Sequence, residues 1–590
     1  MKYKKLLDYL ESWLVCSILI GVIAGLGAIL FSELLELATN FFLAYIVNYK
    51  PPAPAGEGIT AIPDFSSVRW GLFPAVTAMG GLISGIIVYS FAPEAEGDGT
   101  DAVIRAFHRM GGRIKNRVPL VKLIASSITI GSGGSAGREG PISQIGAGFA
   151  SLLSSLLKLD ERRRRILLVS GMGAGIGSIF RSPLGGAIFS VEVLYKHDFE
   201  VEALLPAFVS SVVGFGVYSM FKGTMPIFKT SLQSPPLDPL SLLSYMALGA
   251  VSGVFALIYI KIFYGTKFYF FDKIPVPKHF RPAIGGLLVG LIALIAPQST
   301  GMGYGWLQLA IWGKISPLLL IIIVITKMFA TSFTISSGGS GGVFAPSLVI
   351  GGMLGGALGA ILSNYTQINP ASFVVLGMTS FFAGAAKVPL ASIVMVAEMT
   401  GGYSMLVPAM LSSVISYVVS GSSSIYLEQV RNRALSPAHK EEFSVPLLKK
   451  ILVREAMTTD VITVDPNVTA KEALDVLIRN KIGGLPVVDE SRRLLGIVTF
   501  TDLAQVPAEH QSKVRVGLIM TRDLIVAKPD ETLYDAFRRM TSNQLGRLPV
   551  VDSSGKIVGI LARVDVMRAY ERELQKLSQL DVSKQEQQEG

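Results

Sequence analysis

The sequence predicts a mainly α-helical membrane protein that crosses the bilayer several times and is followed by a smaller α/β region. Half of its 590 residues are hydrophobic and only 16% are charged, whereas soluble domains carry roughly 25% charged residues. Several apolar runs approach the roughly twenty residues that a bilayer-spanning helix needs. A glycine-rich motif also occurs twice, in two halves of the apolar region. Together these features indicate a polytopic membrane protein built from a duplicated unit.

The apolar runs begin close to the N-terminus and continue to about residue 420. They lie near residues 13–38, 70–91, 242–264, 283–296, 316–335, 373–398 and 404–420. The first run is too long for a secretory signal peptide and lacks a small-residue cleavage site. We therefore expect a retained first helix whose N-terminus is cytoplasmic. Two proline-rich stretches, 51–67 and 222–240, are too polar to span a membrane and are predicted to be loops.

The glycine-rich motif reads GSGGSAGREGP at 131–141 and SSGGSGGVFAP at 336–346, and its matching residues are 205 positions apart. A second landmark repeats after 206 positions, in the pairs Pro183 and Pro389, Leu184 and Leu390, and Glu192 and Glu398. Glycine-broken apolar segments at matching places in two halves point to a transporter site. Because irregular backbone at membrane depth must be packed in protein or line a wet cavity, we expect both motifs inside the bundle.

The C-terminal region contains a second duplication, with a spacing of 63 residues between the LPVVD segments at 485–489 and 548–552. Each copy is predicted to run strand, helix, strand, strand, helix. The first helix of each copy begins with a capping signal, formed by Thr469 with Glu472 and by Thr532 with Asp535. The predicted domains are a membrane region at 1–435 (halves near 12–220 and 240–430), a linker at 436–452, the two copies at 453–510 and 511–575, and a polar tail at 576–590.

Composition and motifs argue against several classes of function. The single cysteine, Cys16, excludes an internal disulfide and a cysteine metal cluster, and the five histidines show no metal-ligand spacing. The net charge of +10 is concentrated in clusters such as Arg162–Arg165, which are typical of cytoplasmic loops and do not require nucleic acid as a partner. We find no pairing of a nucleophile with a base and no phosphate-binding loop, so an enzyme is not predicted.

Residues 12–430 resemble the CLC family of chloride channels and chloride/proton antiporters. GREGP at 137–141, GGVFAP at 341–346 and a tyrosine after the last apolar run, Tyr426, are characteristic of that family. The C-terminal copies look like a pair of CBS domains, which CLC proteins often carry on the cytoplasmic side. The resemblance implies the CLC fold, with many tilted and broken helices in two halves of opposite topology. It also implies a homodimer of two independent pores in a lipid bilayer.

The resemblance further implies an anion site made from helix N-termini, whose unpaired amides and dipoles attract an anion. The chloride-binding residues that it implies are Arg138, Gly140, Val343, Phe344, Ala345 and Tyr426. Glu139 would be the gating residue and a proton carrier, because its carboxylate can occupy the position that chloride takes. The alternative is that Glu139 pairs with Arg138 to join two helices.

Two departures from the family pattern affect the expected site. Asp98 stands where the family usually has a chloride-binding serine. Three explanations are open: Asp98 is protonated, it caps a helix that begins near Asp101, or it alters the anion preference. Val193 stands where family antiporters carry an internal proton-relay glutamate. Glu192 is a candidate substitute in the proton pathway, with a helix-partner role as the alternative.

In the CBS pair, the family pattern for binding an adenine nucleotide is a hydroxyl three residues before an aspartate. Thr499 and Asp502 fit it in the first copy, whereas in the second copy Asp565 follows Ala562 and the hydroxyl is missing. The alternative is a pair that binds no ligand. No cofactor is required for transport on this hypothesis.

The predicted function is transport of chloride or another inorganic anion through a pore gated by Glu139. Val193 favours channel-like flux, because valine cannot carry a proton; the alternative is a chloride/proton antiporter. A CBS-regulated divalent-cation transporter is a further alternative, but it needs clustered carboxylates in the membrane to hold the cation. The predicted location is a prokaryotic cell membrane, with both termini cytoplasmic.

Overall fold

A computed structural model describes residues 2–230, 235–363, 365–366, 368–439 and 447–575, with the side chains described from residue 13 onward. The chain divides into two compact units, Met1–Ala438 and His439–Gly590, called here the membrane unit and the C-terminal unit. Residues 440–446 of the predicted linker and the whole predicted tail lie outside the described residues. The exact domain boundaries therefore stay predictions.

The described part of the membrane unit contains sixteen α-helices. They are α1 Lys2–Thr39, α2 Phe73–Phe91, α3 Gly99–Arg109, α4 Val118–Gly131, α5 Glu139–Leu156, α6 Glu161–Ile179, α7 Pro183–Glu192, α8 Val201–Lys222, α9 Pro239–Gly265, α10 Arg281–Ala293, α11 Tyr304–Ile311, α12 Pro317–Ser336, α13 Phe344–Leu362, α14 Pro370–Ala386, α15 Pro389–Thr400 and α16 Leu406–Val419.

Within the described residues, six helical segments are long and apolar enough to cross a membrane. They are Trp13–Val47, Trp70–Phe91, Val201–Lys222, Pro239–Phe271, Pro317–Ser336 and Phe344–Leu362. The spans in α8 and α13 are absent from the predicted runs, because glycines, small residues and prolines dilute their hydrophobicity. The prediction of one run at 373–398 is wrong. There α14 ends before Lys387, which adopts a left-handed conformation with φ of 61°, and α15 starts at Pro389 because proline favours the first turn of a helix.

The two halves of the membrane unit repeat the same packing. Helix α5 packs on α6 as α13 packs on α14, and α1 packs on α8 as α9 packs on α16. The halves meet where α2 packs against α10 and α7 packs against α15. The duplication in the sequence is thus a duplication of helix arrangement.

Equivalent residues of the two halves bond to each other across a common centre. Gly137 and Gly342, which are 205 positions apart, exchange two backbone hydrogen bonds of 2.8 Å in an antiparallel bridge. The Ser126 hydroxyl lies 2.8 Å from that of Ser340, and the equivalent pair, Ser135 and Thr331, is 2.9 Å apart. Such reciprocal pairs require an approximate two-fold axis between the halves, which agrees with the inverted repeats of many transporters.

Each half also contains one fully buried lysine at the same place. The Lys122 ammonium donates to the carbonyls of Ala95 and Gly97 at 3.1 and 2.7 Å. Lys327 makes the same two bonds, at the same distances, to Ser299 and Gly301. Because a buried cation is costly unless it is hydrogen-bonded, these bonds hold the turns that precede α3 and α11.

The C-terminal unit contains two separate antiparallel strand pairs. Its elements are α17 Val453–Ala456, α18 Ala470–Asn480, β1 Gly484–Val488, β2 Leu494–Thr499, α19 Phe500–Ala504, α20 Val516–Ile519, α21 Leu533–Ser542, β3 Arg547–Val551 and β4 Ile557–Ala562, and residues 563–575 are also helical. The predicted first strand of each copy is only a single bridge, Val464 with Val487 and Ala527 with Val550. The prediction of a full strand there is therefore wrong.

Local and cross-copy bonds stabilise this unit. The predicted capping box is confirmed, since the Thr469 hydroxyl accepts from Glu472 N and the Glu472 carboxylate accepts from Thr469 N. The two copies also form backbone bridges with each other: residue 458 of the first copy pairs with 560 of the second, and 497 pairs with 521. Each copy therefore completes the sheet of the other.

Candidate anion site

The two glycine-rich motifs bring the N-termini of α5 and α13 together inside the membrane unit. Every residue of 131–148 and 339–357 is buried. Helix α5 begins at Glu139 and α13 begins at Phe344, in each case two residues after the paired glycines 137 and 342. Two helix N-termini that face one point form a site with positive potential and no permanent cation, which suits an anion.

The Glu139 carboxylate lies at the N-terminus of α13. Its Oε1 accepts a hydrogen bond of 2.5 Å from the backbone amide of Phe344, and the residue is only 1% exposed. The other oxygen, Oε2, has no hydrogen-bond partner among the described residues. The carboxylate thus occupies a place where a helix N-terminus could hold a free anion.

Glycine on both sides makes room for this carboxylate. A Cβ atom on Gly137 would lie 2.0 Å from Glu139 Oε2, and one on Gly342 would lie 2.0 Å from Oε1. Both separations are far shorter than van der Waals contact. A side chain at either position would push the carboxylate away from the Phe344 amide.

Arg138 does not pair with Glu139. Its Nη2 lies 2.5 Å from Glu57 Oε1, and its guanidinium lies over the rings of Phe180 and Tyr304, 5.3 and 5.8 Å from their centroids. The alternative in which Glu139 serves as the partner of Arg138 is therefore wrong. The Arg138 side chain instead bonds to the 51–67 loop, a contact that no pattern in the sequence indicates.

The residues at the start of α13 are packed tightly. Val343, Phe344 and Ala345 are at most 1% exposed. The Phe344 ring lies 5.2 Å from Phe180 and 4.6 Å from Phe382, centroid to centroid. The Phe344 side chain is thus packing, whereas its backbone amide faces the site.

Several buried polar atoms around these helix ends have no hydrogen-bond partner within the part of the chain that the structure describes. They include Asp98 Oδ2, Thr100 Oγ1, Glu139 Oε2 and the Tyr426 hydroxyl oxygen. An unsatisfied buried polar atom costs about 1–3 kcal/mol, so such a cluster indicates a place that receives water or a polar ligand. Hydroxyl groups can donate to a halide, and carboxyl groups can exchange protons.

Asp98 caps a helix and also lies at the site. Its Oδ1 accepts from Thr100 N at 3.0 Å, so α3 begins at Gly99, two residues earlier than expected. The same oxygen would lie 2.2 Å from a Cβ on Gly140. The capping alternative agrees with this geometry, but it does not remove the carboxylate from the neighbourhood of α5.

Glu192 and Glu398 cap each other's helices. Glu192 accepts from Leu390 N and Ala391 N, at 3.1 and 2.7 Å, at the start of α15. Glu398 accepts from Gly185 N at 2.8 Å at the start of α7. Because both oxygens of Glu192 are used in this way, the structure favours its role as a helix partner, and we no longer assign it to the proton pathway.

A cavity of about 240 Å³ leads from the surface to Asp98. Its charged lining residues are Glu94, Glu96, Asp98, Asp101, Arg105, Lys267, Asp272, Lys278 and Arg281. Sequence reasoning missed this cavity and the buried Lys122 and Lys327. A lysine inside an apolar run is a functional signal, and the spacing of 205 between these two could have identified them.

The candidate nucleotide residues of the C-terminal unit bond to their own backbone or to each other. The Thr499 hydroxyl lies 2.7 Å from Asp502 Oδ2, and the pair caps α19. Asp565 accepts from Ala562 N at 2.9 Å. The two aspartates therefore occupy equivalent places, and only the first has a hydroxyl beside it.

Residues 80–421 match the family described as voltage gated chloride channel, and residues 453–509 and 516–572 match the CBS domain. The first match covers more than half of the chain. The protein belongs to the voltage-gated chloride channel family. The prediction of a CLC protein with a C-terminal CBS pair is thereby confirmed. Membership of this family of anion transporters also confirms an integral membrane protein whose function is transport and not enzymatic catalysis.

Relatives and solved structures of this CLC family cover most of the membrane unit. An uncharacterised protein of Methanocaldococcus jannaschii is 29% identical over 425 residues, 72% of this chain and 96% of the relative. The H(+)/Cl(-) exchange transporter ClcA of Salmonella arizonae is 28% identical over 409 residues, 68% of this chain and 83% of the relative.

The similar solved structures confirm the CLC fold. A slow cyanobacterial Cl−/H+ antiporter has a TM-score of 0.61 at 24% identity and covers 70% of this chain and 96% of its own. A CLC-type fluoride/proton antiporter has a TM-score of 0.61 at 23% identity, with 72% and 98% covered. A eukaryotic CLC transporter has a TM-score of 0.58 at 20% identity, with 95% and 98% covered.

Proposed function

We propose that this protein exchanges chloride for protons across a membrane, with Glu139 as the group that both ions act on. The observation that carries the proposal is the hydrogen bond from the Phe344 amide to the Glu139 carboxylate at the start of α13. A charged Glu139 and a chloride ion compete for that helix end. Protonation removes the charge that holds the side chain there, so the carboxyl group leaves and chloride enters.

The names of similar proteins support exchange over channel-like flux. The Salmonella relatives are named H(+)/Cl(-) exchange transporters, and two similar structures are described as antiporters, one for chloride and one for fluoride. From the sequence, Val193 favours channel-like flux, and chloride/proton exchange is the alternative. Val193 is fully buried at the end of α7 and remains the one observation in favour of a channel. Chloride is the proposed substrate, with nitrate and fluoride as the anions to compare.

The exchange hypothesis is tested in liposomes that contain the purified full-length protein. A chloride gradient should drive protons uphill, measured by a pH electrode beside a chloride electrode. Chloride flux without proton movement would support the channel and overturn exchange.

The role of Glu139 is tested in the same assay. We expect Glu139→Ala to abolish proton movement and to make chloride flux independent of pH, because the tethered anion is gone. Glu161→Gln is the matched control, since it removes a half-exposed carboxylate at the surface of α6, where an ion pair contributes little. Proton-coupled, pH-sensitive flux in Glu139→Ala would remove Glu139 from this role.

Several further proposals accompany this function. We propose a homodimer and an adenine nucleotide bound between the two CBS copies through Thr499, Asp502 and Asp565. We also propose a prokaryotic cell membrane with both termini in the cytoplasm. The orientation is supported by the basic cluster Arg162–Arg165, since basic loops favour the cytoplasmic side. Arg165 of this cluster bonds to the carbonyl of Ala438, at the end of the membrane unit.

A further inference from the structure

The anion site contains a second carboxylate, the partly buried Asp98, for which the proposed exchange so far has no use. Asp98 lines the cavity of about 240 Å³ that opens to the surface. One of its oxygens is bonded to Thr100 N, and the other is buried without a partner among the residues described. Asp98 therefore has one oxygen fixed by the helix cap and one free to take a proton.

The carboxylates of Asp98 and Glu139 lie beside two glycines, Gly140 and Gly342, that are close neighbours. A Cβ on Gly140 would lie 2.2 Å from Asp98 Oδ1 and 3.0 Å from the Cα of Gly342. A Cβ on Gly342 would lie 2.0 Å from Glu139 Oε1. The two carboxylates thus lie beside glycines that are themselves close neighbours. The hydroxyls of Thr100 and Tyr426, which lack a described partner, belong to the same cluster.

The charges that face Asp98 make it sensitive to the arrival of an anion. Glu139 on α5, Lys122 on α4 and Asp101 on α3 are the ionisable groups that act on it. The tyrosines that face it are Tyr259 and Tyr264 on α9 and Tyr426 after α16. The buried cations Lys122, Lys327 and Arg138 are already bonded to carbonyls or to Glu57. Chloride that binds beside two carboxylates therefore favours proton uptake by one of them.

Other side chains near this end of the site are unsuited to the task. Val193 has no proton to exchange, and both oxygens of Glu192 are bonded to the start of α15. Asp101 accepts from Glu428 N at 2.9 Å and lies behind Asp98 along α3. In the described part of the membrane unit, Asp98 is the carboxylate that both lines the cavity and reaches the glycines around Glu139.

We propose that Asp98 takes protons from water in the cavity and passes them to Glu139 while chloride moves the opposite way. The inference rests on the proposed exchange. A proton leaves a hydronium ion in the cavity and binds the Asp98 carboxylate. It then moves to Glu139 Oε2, directly or through a hydroxyl or a water molecule, and is released on the far side. Only O–H bonds form and break, and each carboxylate returns to its starting state after one proton has crossed.

The test compares Asp98→Asn and Asp98→Ser with the wild type, as full-length protein in liposomes under a chloride gradient. Both asparagine and serine are good helix caps, so α3 should still begin at Gly99. We expect chloride flux to persist while the proton-to-chloride ratio falls at least about tenfold, because a positioned proton carrier typically speeds proton transfer by about 10²-fold or more. Chloride flux in both variants should also lose its dependence on the pH of the side to which the cavity opens.

Asp272→Asn is the matched control, because Asp272 lines the same cavity but lies in the loop between α9 and α10. It should keep the wild-type ratio. Asp98→Asn with a wild-type ratio and an unchanged pH profile would overturn this inference alone. A wild type that moves chloride without protons would overturn both the inference and the exchange function, so the two failures are distinguishable. A monodisperse elution profile shows that each variant is folded.

Discussion

At the residue scale, the Glu139 carboxylate and a free halide ion would use the same donor, the backbone amide of Phe344. A fixed cation at this place would hold an anion too strongly for transport, whereas two helix ends supply partial charge only. Gly137 and Gly342 allow the carboxylate to approach, since a Cβ on either would overlap it. On the proposed mechanism, the competition between a tethered and a free anion therefore depends on residues without side chains.

The first prediction concerns Gly137. In Gly137→Ala, the three atoms nearest to the new methyl group would all belong to the Glu139 carboxylate. We expect the carboxylate to leave the Phe344 amide, so that chloride flux becomes nearly independent of pH, as in Glu139→Ala. The measurement is chloride efflux from liposomes over a range from acid to neutral pH.

The control for this variant is Gly216→Ala on α8, where no atom would lie within 4 Å of the added methyl group. Gly216→Ala should behave as the wild type in flux and pH dependence. A folded Gly137→Ala protein that retains the full pH dependence would show that the carboxylate does not need the place in which the structure finds it.

At the element scale, helices of opposite halves stabilise each other's first turns. Glu192 at the end of α7 caps α15, and Glu398 near the end of α15 caps α7. This reciprocal capping satisfies backbone amides that would otherwise be unpaired inside the membrane. It also places two carboxylates away from the anion site, so they need not take part in proton transfer.

The second prediction separates capping by Glu192 from proton transfer. Glu192→Gln keeps an oxygen that can accept from Ala391 N, so we expect chloride flux and the proton-to-chloride ratio to stay near the wild type. Glu192→Ala leaves the start of α15 uncapped and should lower the free energy of unfolding by about 1–2 kcal/mol. Thermal unfolding in detergent measures the second effect.

Glu398→Ala is the matched variant, because it removes the equivalent cap from α7 and should destabilise by a similar amount. If Glu192→Gln carried chloride normally but no longer moved protons, Glu192 would return to the proton pathway and the capping explanation would fail.

At the scale of the whole molecule, two duplications carry two different tasks. In the membrane unit, the approximate two-fold axis at Gly137 and Gly342 brings one helix N-terminus from each half to a single point. In the C-terminal unit, the two copies are joined by backbone bridges, Thr458 with Ile560 and Ile497 with Thr521. Neither half and neither copy forms the complete arrangement alone.

The third prediction concerns nucleotide binding by the intact protein. Asp502→Asn keeps the helix cap but loses the charge that would bond a ribose hydroxyl, so we expect adenine nucleotides to bind about tenfold more weakly. Fluorescence of a labelled nucleotide measures the affinity. The control is Asp475→Asn on the exposed face of α18, which should bind as the wild type. Absence of binding to the wild type would leave the CBS pair as a structural module.

The sequence alone predicted much of the fold and part of the candidate site. The repeated glycine motif identified the two halves, and the residues Thr469 and Glu472, three positions apart, identified a capping box that the structure contains. It did not predict the break at Lys387, where an apolar run longer than one helix hid a left-handed residue. The sequence also predicted full strands around residues 464 and 527, where the structure contains single bridges. Strand pairing depends on neighbours distant in the chain, which the local pattern does not show.

The amino-acid sequence sets the composition of each helix end, since caps, first-turn prolines and glycines act within about four residues. Which ends meet depends on the three-dimensional packing. Arg138 bonds to Glu57, 81 positions away, and Glu139 bonds to Phe344 of the other half, 205 positions away. Asp98 lies beside Gly140 because α3 packs on α5 within the first half. Such contacts arise from the packing of segments that are distant in the chain, which no local spacing encodes.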